Sequence, residues 1–373
     1  MRRAFLFNPE NDIALARNVA AFTPPPAAVA LRRAGELLPM WLCREGDCFI
    51  CDGVNTRWFD RITSDFGLPA RPWDHRTADT EPVPWGWSAA ARRSLAQRGF
   101  PADAMPDDRQ LADIRELSHR RTAATVARLL AEKLPFEVWP AAVEVSDPAQ
   151  LTTLLRQGPC VVKSPWSSSG RGISFTTPDR ADSAAVRAAG VIRKQGSVMV
   201  ERAADRICDF AMLWNYGPDG CDFAGYSLFE TDGCGDYRAN TVAPQPVLES
   251  RIAALAGADR LQAIRVALPD ALRSVIGDRY AGSLGIDMLV AADGTVDPVV
   301  EINFRYTMGF IAIALEPHTA SEARFTVTRP APTAPCDHPA AGSAYTASDG
   351  RLTSGCLPLS QPGCAFTFLL EIL

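Results

Sequence analysis

The chain has 373 residues, is 47% hydrophobic and carries a formal net charge of -5. That size and apolar content supply more than one core and predict two or three structural units. The acid excess excludes a bulk positive field for nucleic acid, and the absence of any run of about 18 apolar residues excludes a transmembrane helix.

The chain opens with two arginines and a short apolar run, predicted as a strand over Arg3–Phe7. The polar turn Asn8-Pro9-Glu10-Asn11-Asp12 ends that run too early for a secretory signal, so a cytoplasmic location is expected. A helix is predicted from Ala27 to Leu38, after three prolines, then short strands near Met40–Cys43 and Cys48–Cys51. Strand and helix alternation of this kind predicts a small parallel α/β unit, in which ligands collect beyond the carboxyl ends of the strands. The stretch from Pro69 to Pro106, dense in Pro, Trp and Gly, reads as a linker packed on a surface.

Further on, a helix is predicted over Asp113–Leu134, with Ser118 as a cap. Next come a strand at Glu137–Val138, a helix at Pro148–Gln157 and a strand at Pro159–Lys163. Ile173–Thr176 reads as a returning strand, Arg180–Ala189 as a helix and Ser197–Glu201 as a strand. Asp209–Tyr216 and Asp222–Phe229 read as antiparallel partners, and Arg260–Val275 as an amphipathic helix. Tyr280–Val290 and Thr295–Ile302 are expected to form a hairpin about Ala292-Asp293-Gly294. At least two closing strands are expected after Phe325, the last in the apolar run Cys364–Leu373, which offers an edge for a homodimer.

Ten cysteines invite a metal reading. Cys48-Phe49-Ile50-Cys51 is a CxxC, but it alternates like a strand and so sends its two sulfurs to opposite faces. Zinc would also want a second pair or spaced histidines. Buried reduced thiols are the expectation.

Chemistry concentrates in two distant segments. In the first, Lys163 ends an apolar strand and precedes Ser167-Ser168-Ser169-Gly170, small residues that let backbone N–H groups reach phosphate. The lysine precedes the glycines, so this is not a P-loop. In the second, Glu301 and Asn303 share one face of a strand, and Asp287 on the partner strand can join them. Two carboxylates and an amide oxygen are hard ligands suited to magnesium. Arg305 follows, either to stabilise a transferred phosphoryl group or as an ion-pair partner of Glu301. Between them, Val198-Met199-Val200-Glu201-Arg202-Ala203 is an apolar strand ending in an acid, and Asp209 lies beyond it.

In this order and spacing the segments "VVKSPWSSSGRGI", "VMVERA", "GSLGIDMLV" and "VVEINFRYTMG" resemble the ATP-grasp superfamily, over roughly Asp113 to Leu315. The resemblance implies two α+β lobes that grip ATP, preceded by a small parallel α/β domain. The expected boundaries are 1–110 for the N-terminal domain with its linker, 111–200 and 201–320 for the lobes, and 321–373 for a β-rich extension. It implies ATP and Mg2+ as cofactors, Lys163 on phosphate, and Glu201 with the backbone of Arg202 and Ala203 on adenine. Asp209 would meet the ribose, and Asp287, Glu301 and Asn303 the metal. The family usually has a further lysine where this chain has Arg120 and Arg121. Arginine keeps the charge but changes the donor geometry.

The activity implied is that of a ligase. A carboxylate is activated as an acylphosphate and then attacked by an amine or another nucleophile, both small molecules. Asn8, Glu10 and Asn11, with Arg238 and Asn240 in the polar stretch Gly235–Asn240, are the candidate substrate residues. Two other classes stay open: a small-molecule phosphotransferase, and a non-catalytic nucleotide-binding or partner-binding protein.

Overall fold

The computed structural model describes residues 1–76, 78–167, 172–233, 235–328 and 345–373. In chain order the elements are β1 (Arg2–Leu6), α1 (Asn11–Arg17), α2 (Pro26–Gly35), β2 (Cys48–Ile50), α3 (Thr56–Phe66), β3 (Thr80–Pro84), α4 (Ala89–Gln97), α5 (Asp108–Leu117) and α6 (Arg121–Lys133). Next are β4 (Val143–Val145), α7 (Pro148–Leu155), β5 (Cys160–Lys163), β6 (Ile173–Thr176), α8 (Ala181–Gln195), β7 (Val198–Arg202), β8 (Arg206–Gly217), β9 (Gly220–Thr231) and β10 (Tyr237–Val242). The remainder is α9 (Gln245–Ala256), α10 (Ala258–Ile276), β11 (Gly282–Ala291), β12 (Val296–Asn303), α11 (Met308–Leu315), β13 (Ala323–Thr328), β14 (Tyr345–Ser348), β15 (Arg351–Pro358) and β16 (Thr367–Ile372).

The chain divides into two compact units. The first comprises Met1–Leu111, Arg238–Gln245 and Arg305–Leu373. Its parallel sheet has the order β2-β1-β3, so the expected small α/β unit is present. Pro69–Pro106 is not a linker: β3 lies within it, paired parallel to β1 from Arg2↔Thr80 to Leu6↔Pro84. Pro82 and Pro84 are tolerated because β3 is an edge strand, with one side free of the ladder. Met40–Cys43 is not a strand, since a 3-10 turn covers Leu38–Trp41. Pro39 fits the start of such a turn and would break a ladder.

The same unit holds a second ladder, β10-β13-β16-β15-β14, antiparallel throughout. The apolar run Cys364–Leu373 therefore offers no free edge for a homodimer, because β16 pairs with β13 on one side and β15 on the other. Phe368 and Leu370 are fully buried there beside Phe7, Leu37 and Phe325. Tight packing makes Gly35 obligatory: a methyl group there would sit 2.3 Å from Cε1 of Phe7. Gly35→Ala should cost about 1–3 kcal/mol through overpacking. Urea denaturation reads this, and unchanged stability would mean that Phe7 swings aside freely.

The second unit comprises Ala112–Tyr237 and Pro246–Phe304. It holds an antiparallel sheet of order β4-β7-β5-β6, with α7 and α8 burying Leu151, Leu155, Ala181, Ala184 and Ala188 against it. It also holds the ladder β12-β11-β8-β9. The expected β8–β9 and β11–β12 antiparallel pairs are both present. The single helix expected over Asp113–Leu134 is two, α5 and α6. Ser118 does not cap the second; its hydroxyl donates to the Ile114 carbonyl at 2.7 Å and so closes the first. The expected strand at Glu137–Val138 is absent. The chain there is irregular, and the strand is formed later, at β4.

No helix among the described residues is long and apolar enough to cross a membrane. The cysteines that the structure describes are free. Burial pushes the thiols of Cys43 and Cys51 up to about 12, which leaves them protonated and unreactive near neutral pH. Cys234, Cys336 and His338 lie outside the described residues.

Candidate functional site

The second unit contains a narrow cleft whose room for water-sized molecules is only about 10 Å3. Its lining includes Arg120, Lys163, Met199, Glu201, Asp297 and Val299. Two sheets supply these groups. Lys163 stands opposite Met199 in the β5–β7 ladder, which puts the lysine diagonal to Glu201. Its ammonium lies 2.5 Å from the Glu201 carboxylate, with 7% and 15% of the two side chains exposed.

The guanidinium of Arg120 is the hub. Its Nε donates to the Ser164 carbonyl at 3.0 Å, and one terminal nitrogen donates to the Ser167 hydroxyl at 3.0 Å. The other terminal nitrogen lies 2.9 Å from the Glu301 carboxylate. That last contact lies off the N–H direction, so it is ionic rather than an aligned hydrogen bond. Arg121 goes elsewhere: half its side chain is exposed and it pairs with Glu144 at 3.3 Å. Of the two arginines standing where the lysine was expected, Arg120 alone lines the cleft. His119 beside them is buried, which pushes it down to about 4 and keeps it neutral.

The Ser164–Ser167 turn is pinned by the Ser164 N–H donating to the Gly172 carbonyl at 2.8 Å. Gly172 is required there, with φ +79° and a Cβ position only 2.7 Å from the Ser164 hydroxyl. Ser168, Ser169 and Gly170 lie outside the described residues.

The metal candidates come together on β11 and β12. Asp287 stands directly opposite Glu301, and the Asn303 amide donates to Asp287 at 3.0 Å. Among the described residues no group of three His, Cys, Asp or Glu side chains could hold an ion unaided. Two acids and an amide oxygen still fit a hard divalent cation whose shell is finished by phosphate oxygens and water. Glu301 already lies against a cationic group, the Arg120 guanidinium.

Asp297 is a cleft residue that sequence reading missed. The register shift between Asp287/Glu301 and Leu289/Asp297 disturbs the alternation of β12. Asp297 is buried, and its carboxyl is pushed up to about 7, first by desolvation and then by the charge of Glu201. An acid within the apolar run Val296–Val300, two turns of the pleat before Glu301, was the available signal. The folded state keeps a proton between roughly pH 4 and 7 that the unfolded chain has released, so this group makes stability fall as pH rises through that window. Asp297→Asn should therefore be more stable than the parent at pH 8, with the advantage gone near pH 4. Urea titrations at the two pH values decide this.

The remaining candidates are dispersed. The Arg202 carbonyl accepts from the Trp139 indole at 3.4 Å, and the Ala203 N–H donates to the Pro159 carbonyl at 3.0 Å, so neither group is idle. Asp209 accepts from the Thr231 hydroxyl at 2.6 Å.

In the first unit, the Asn8 amide brackets the Gly86 backbone, donating to its carbonyl at 2.9 Å and accepting from its N–H at 3.4 Å. Arg305 grips Asp12 through Nε and a terminal nitrogen, the shortest contact being 2.7 Å. Asp12 is thus the partner of Arg305. Glu10 and Asn11 are buried. The polar stretch Gly235–Asn240 enters β10 at Tyr237, with Arg238 exposed and Asn240 buried opposite Phe325.

No family model matches the chain, and no curated protein matches it by sequence. Solved structures do. The biotin carboxylase of Campylobacter jejuni, determined as a β,γ-ATP complex, has a TM-score of 0.52 at 11% identity, covering 99% of this chain and 86% of that one. The biotin carboxylase domain of the Hydrogenobacter thermophilus 2-oxoglutarate carboxylase was determined with MgADP, ADP and bicarbonate. It has a TM-score of 0.51 at 10% identity, with the same coverages. The fold is the ATP-grasp fold. Strands β5 and β7 of one sheet and β12 of the other line the cleft together with Arg120 at the start of α6.

Proposed function

We propose that the protein is an ATP-dependent ligase that activates a small carboxylate as an acylphosphate and joins it to an amine or another nucleophile. One observation supports this reading above the others: on an ATP-grasp fold, Lys163 and Arg120 line one cleft of the second unit, and Arg120 lies against Glu301, which stands opposite Asp287, itself hydrogen-bonded to Asn303. Lys163 and Arg120 neutralise phosphate charge, while Ser167 and the turn it belongs to present backbone donors. Glu201, Arg202, Ala203 and Asp209 hold the nucleoside end. Asp287, Glu301 and Asn303 hold Mg2+, which draws charge off the transferred phosphoryl group. Arg305, fixed by Asp12, is kept in one orientation for an anionic group. The protein contributes positioning and charge and needs no covalent nucleophile of its own.

Two similar structures were determined with adenine nucleotides, one of them with magnesium. A cytoplasmic location and small-molecule substrates go with the same reading. The test is product analysis after incubation with Mg-ATP and paired panels of acids and amines. An amide plus ADP and free phosphate is expected. A stable phosphorylated small molecule would point to a phosphotransferase, and nucleotide binding without turnover would point to a binding protein.

A further inference from the structure

The first unit carries a separate cavity of about 460 Å3 at the carboxyl end of β1. β1 runs between two parallel neighbours, and in such sheets that end is where ligands gather. The wall includes Glu10, Asn11, Arg32, Ser88, Arg93 and Arg98.

Three polar atoms on this wall are buried and have no partner: one Glu10 carboxylate oxygen and both ends of the Asn11 amide. Glu10 is 7% exposed and Asn11 1%. The other Glu10 oxygen is held by Arg32, so the acid is anchored while half its acceptor capacity is idle. Asn11 lies against Gly86, where any Cβ would come within 2.4 Å of the amide nitrogen. Unmade hydrogen bonds in a protein interior are costly and seldom retained without a use. Two idle acceptors and one idle donor on adjacent residues, beside a cavity, call for a ligand that offers both donors and an acceptor.

The opposite sign is also provided. Arg98 is committed to Asp52 at 3.0 Å, but Arg93 is exposed and has no ion-pair partner among the described residues. Arg93 lies on α4, whose Ser88-capped first turn forms part of the same wall. A helix start favours an anion.

We propose that this cavity binds a small zwitterion, its ammonium taken by the Glu10 carboxylate and the Asn11 amide oxygen and its carboxylate by Arg93 and the first turn of α4. The volume accommodates an amino acid with its side chain. It would be the amine substrate of the ligase, and only that assignment rests on the function proposed above; the binding does not.

The test is calorimetry on the full chain, without nucleotide, using each of the twenty proteinogenic amino acids. At least one should bind saturably. Its N-acetyl derivative and its methyl ester should each bind at least 10-fold more weakly. Glu10→Gln should weaken the amino acid at least 10-fold. If that variant fails to fold because Arg32 loses its partner, Arg93→Glu on the exposed rim gives the equivalent comparison, with a similar loss expected. Silence across the panel, undiminished binding of the acetylated compound, or an unaltered Arg93→Glu would overturn the proposal. Binding without any ATP turnover would instead defeat the ligase reading and leave this one standing.

Discussion

Glu301→Ala is expected to lower magnesium-dependent ATP turnover about 10²- to 10³-fold, a loss of some 3–4 kcal/mol of transition-state stabilisation. The side chain has two tasks. It is one of two carboxylates on the register-paired strands β11 and β12, and it lies against Arg120. Removing it takes a charge from the metal set and leaves Arg120 without its anion. Arg120 keeps its bonds to the Ser164 carbonyl and the Ser167 hydroxyl, so the fold should survive with a modest loss of stability. Glu301→Gln separates the two tasks, since it preserves shape and removes only charge. Steady-state ADP release across a magnesium titration is the measurement. Parent-like turnover in Glu301→Ala would remove the metal assignment altogether.

Lys163→Met should be damaging in both stability and catalysis. Lys163 and Glu201 are deeply buried and 2.5 Å apart. Deleting one member of such a pair typically costs about 3–5 kcal/mol, because the survivor is left charged in a poor solvent. Asp297 increases that cost, since the charge of Glu201 already acts on it. Nucleotide affinity should fall together with stability if the ammonium is, as proposed, the phosphate contact of the cleft. Lys163→Met/Glu201→Gln should recover stability without recovering ATP binding. Recovery of both would make the lysine structural only.

The residues of the second unit's cleft and of β11 and β12 were more legible in the sequence than the scaffold of the first unit. Lys163, Glu201, Asp287, Glu301 and Asn303 sit on apolar strands whose alternation gives the face each residue uses, and the two-residue spacing of Glu301 and Asn303 puts that pair on one face. Arg120 could not be separated from Arg121 by sequence, since adjacent residues on a helix diverge by about 100° and only packing decides which turns inward. Asp297 was hidden by a register shift, a tertiary event that no spacing rule anticipates. The third parallel strand was missed because Pro82 and Pro84 argue against a ladder unless the strand is known to lie at an edge. The pairing of Asp12 with Arg305 spans 293 positions, beyond the reach of any local pattern.

The threading of the two units has a consequence for how the protein is made. All strands of the second unit have been synthesised by Asn303, whereas the first draws its strands from Arg2 through to Ile372. On the ribosome, the second unit can acquire its contacts before β13 to β16 have emerged. The β1 region must wait, with Phe5 and Phe7 lacking part of their eventual cover. Nascent chains arrested shortly after Asn303 has cleared the exit tunnel should resist protease over 112–237 while remaining cleavable over 1–111. Uniform sensitivity would mean that neither half consolidates before the whole chain is free.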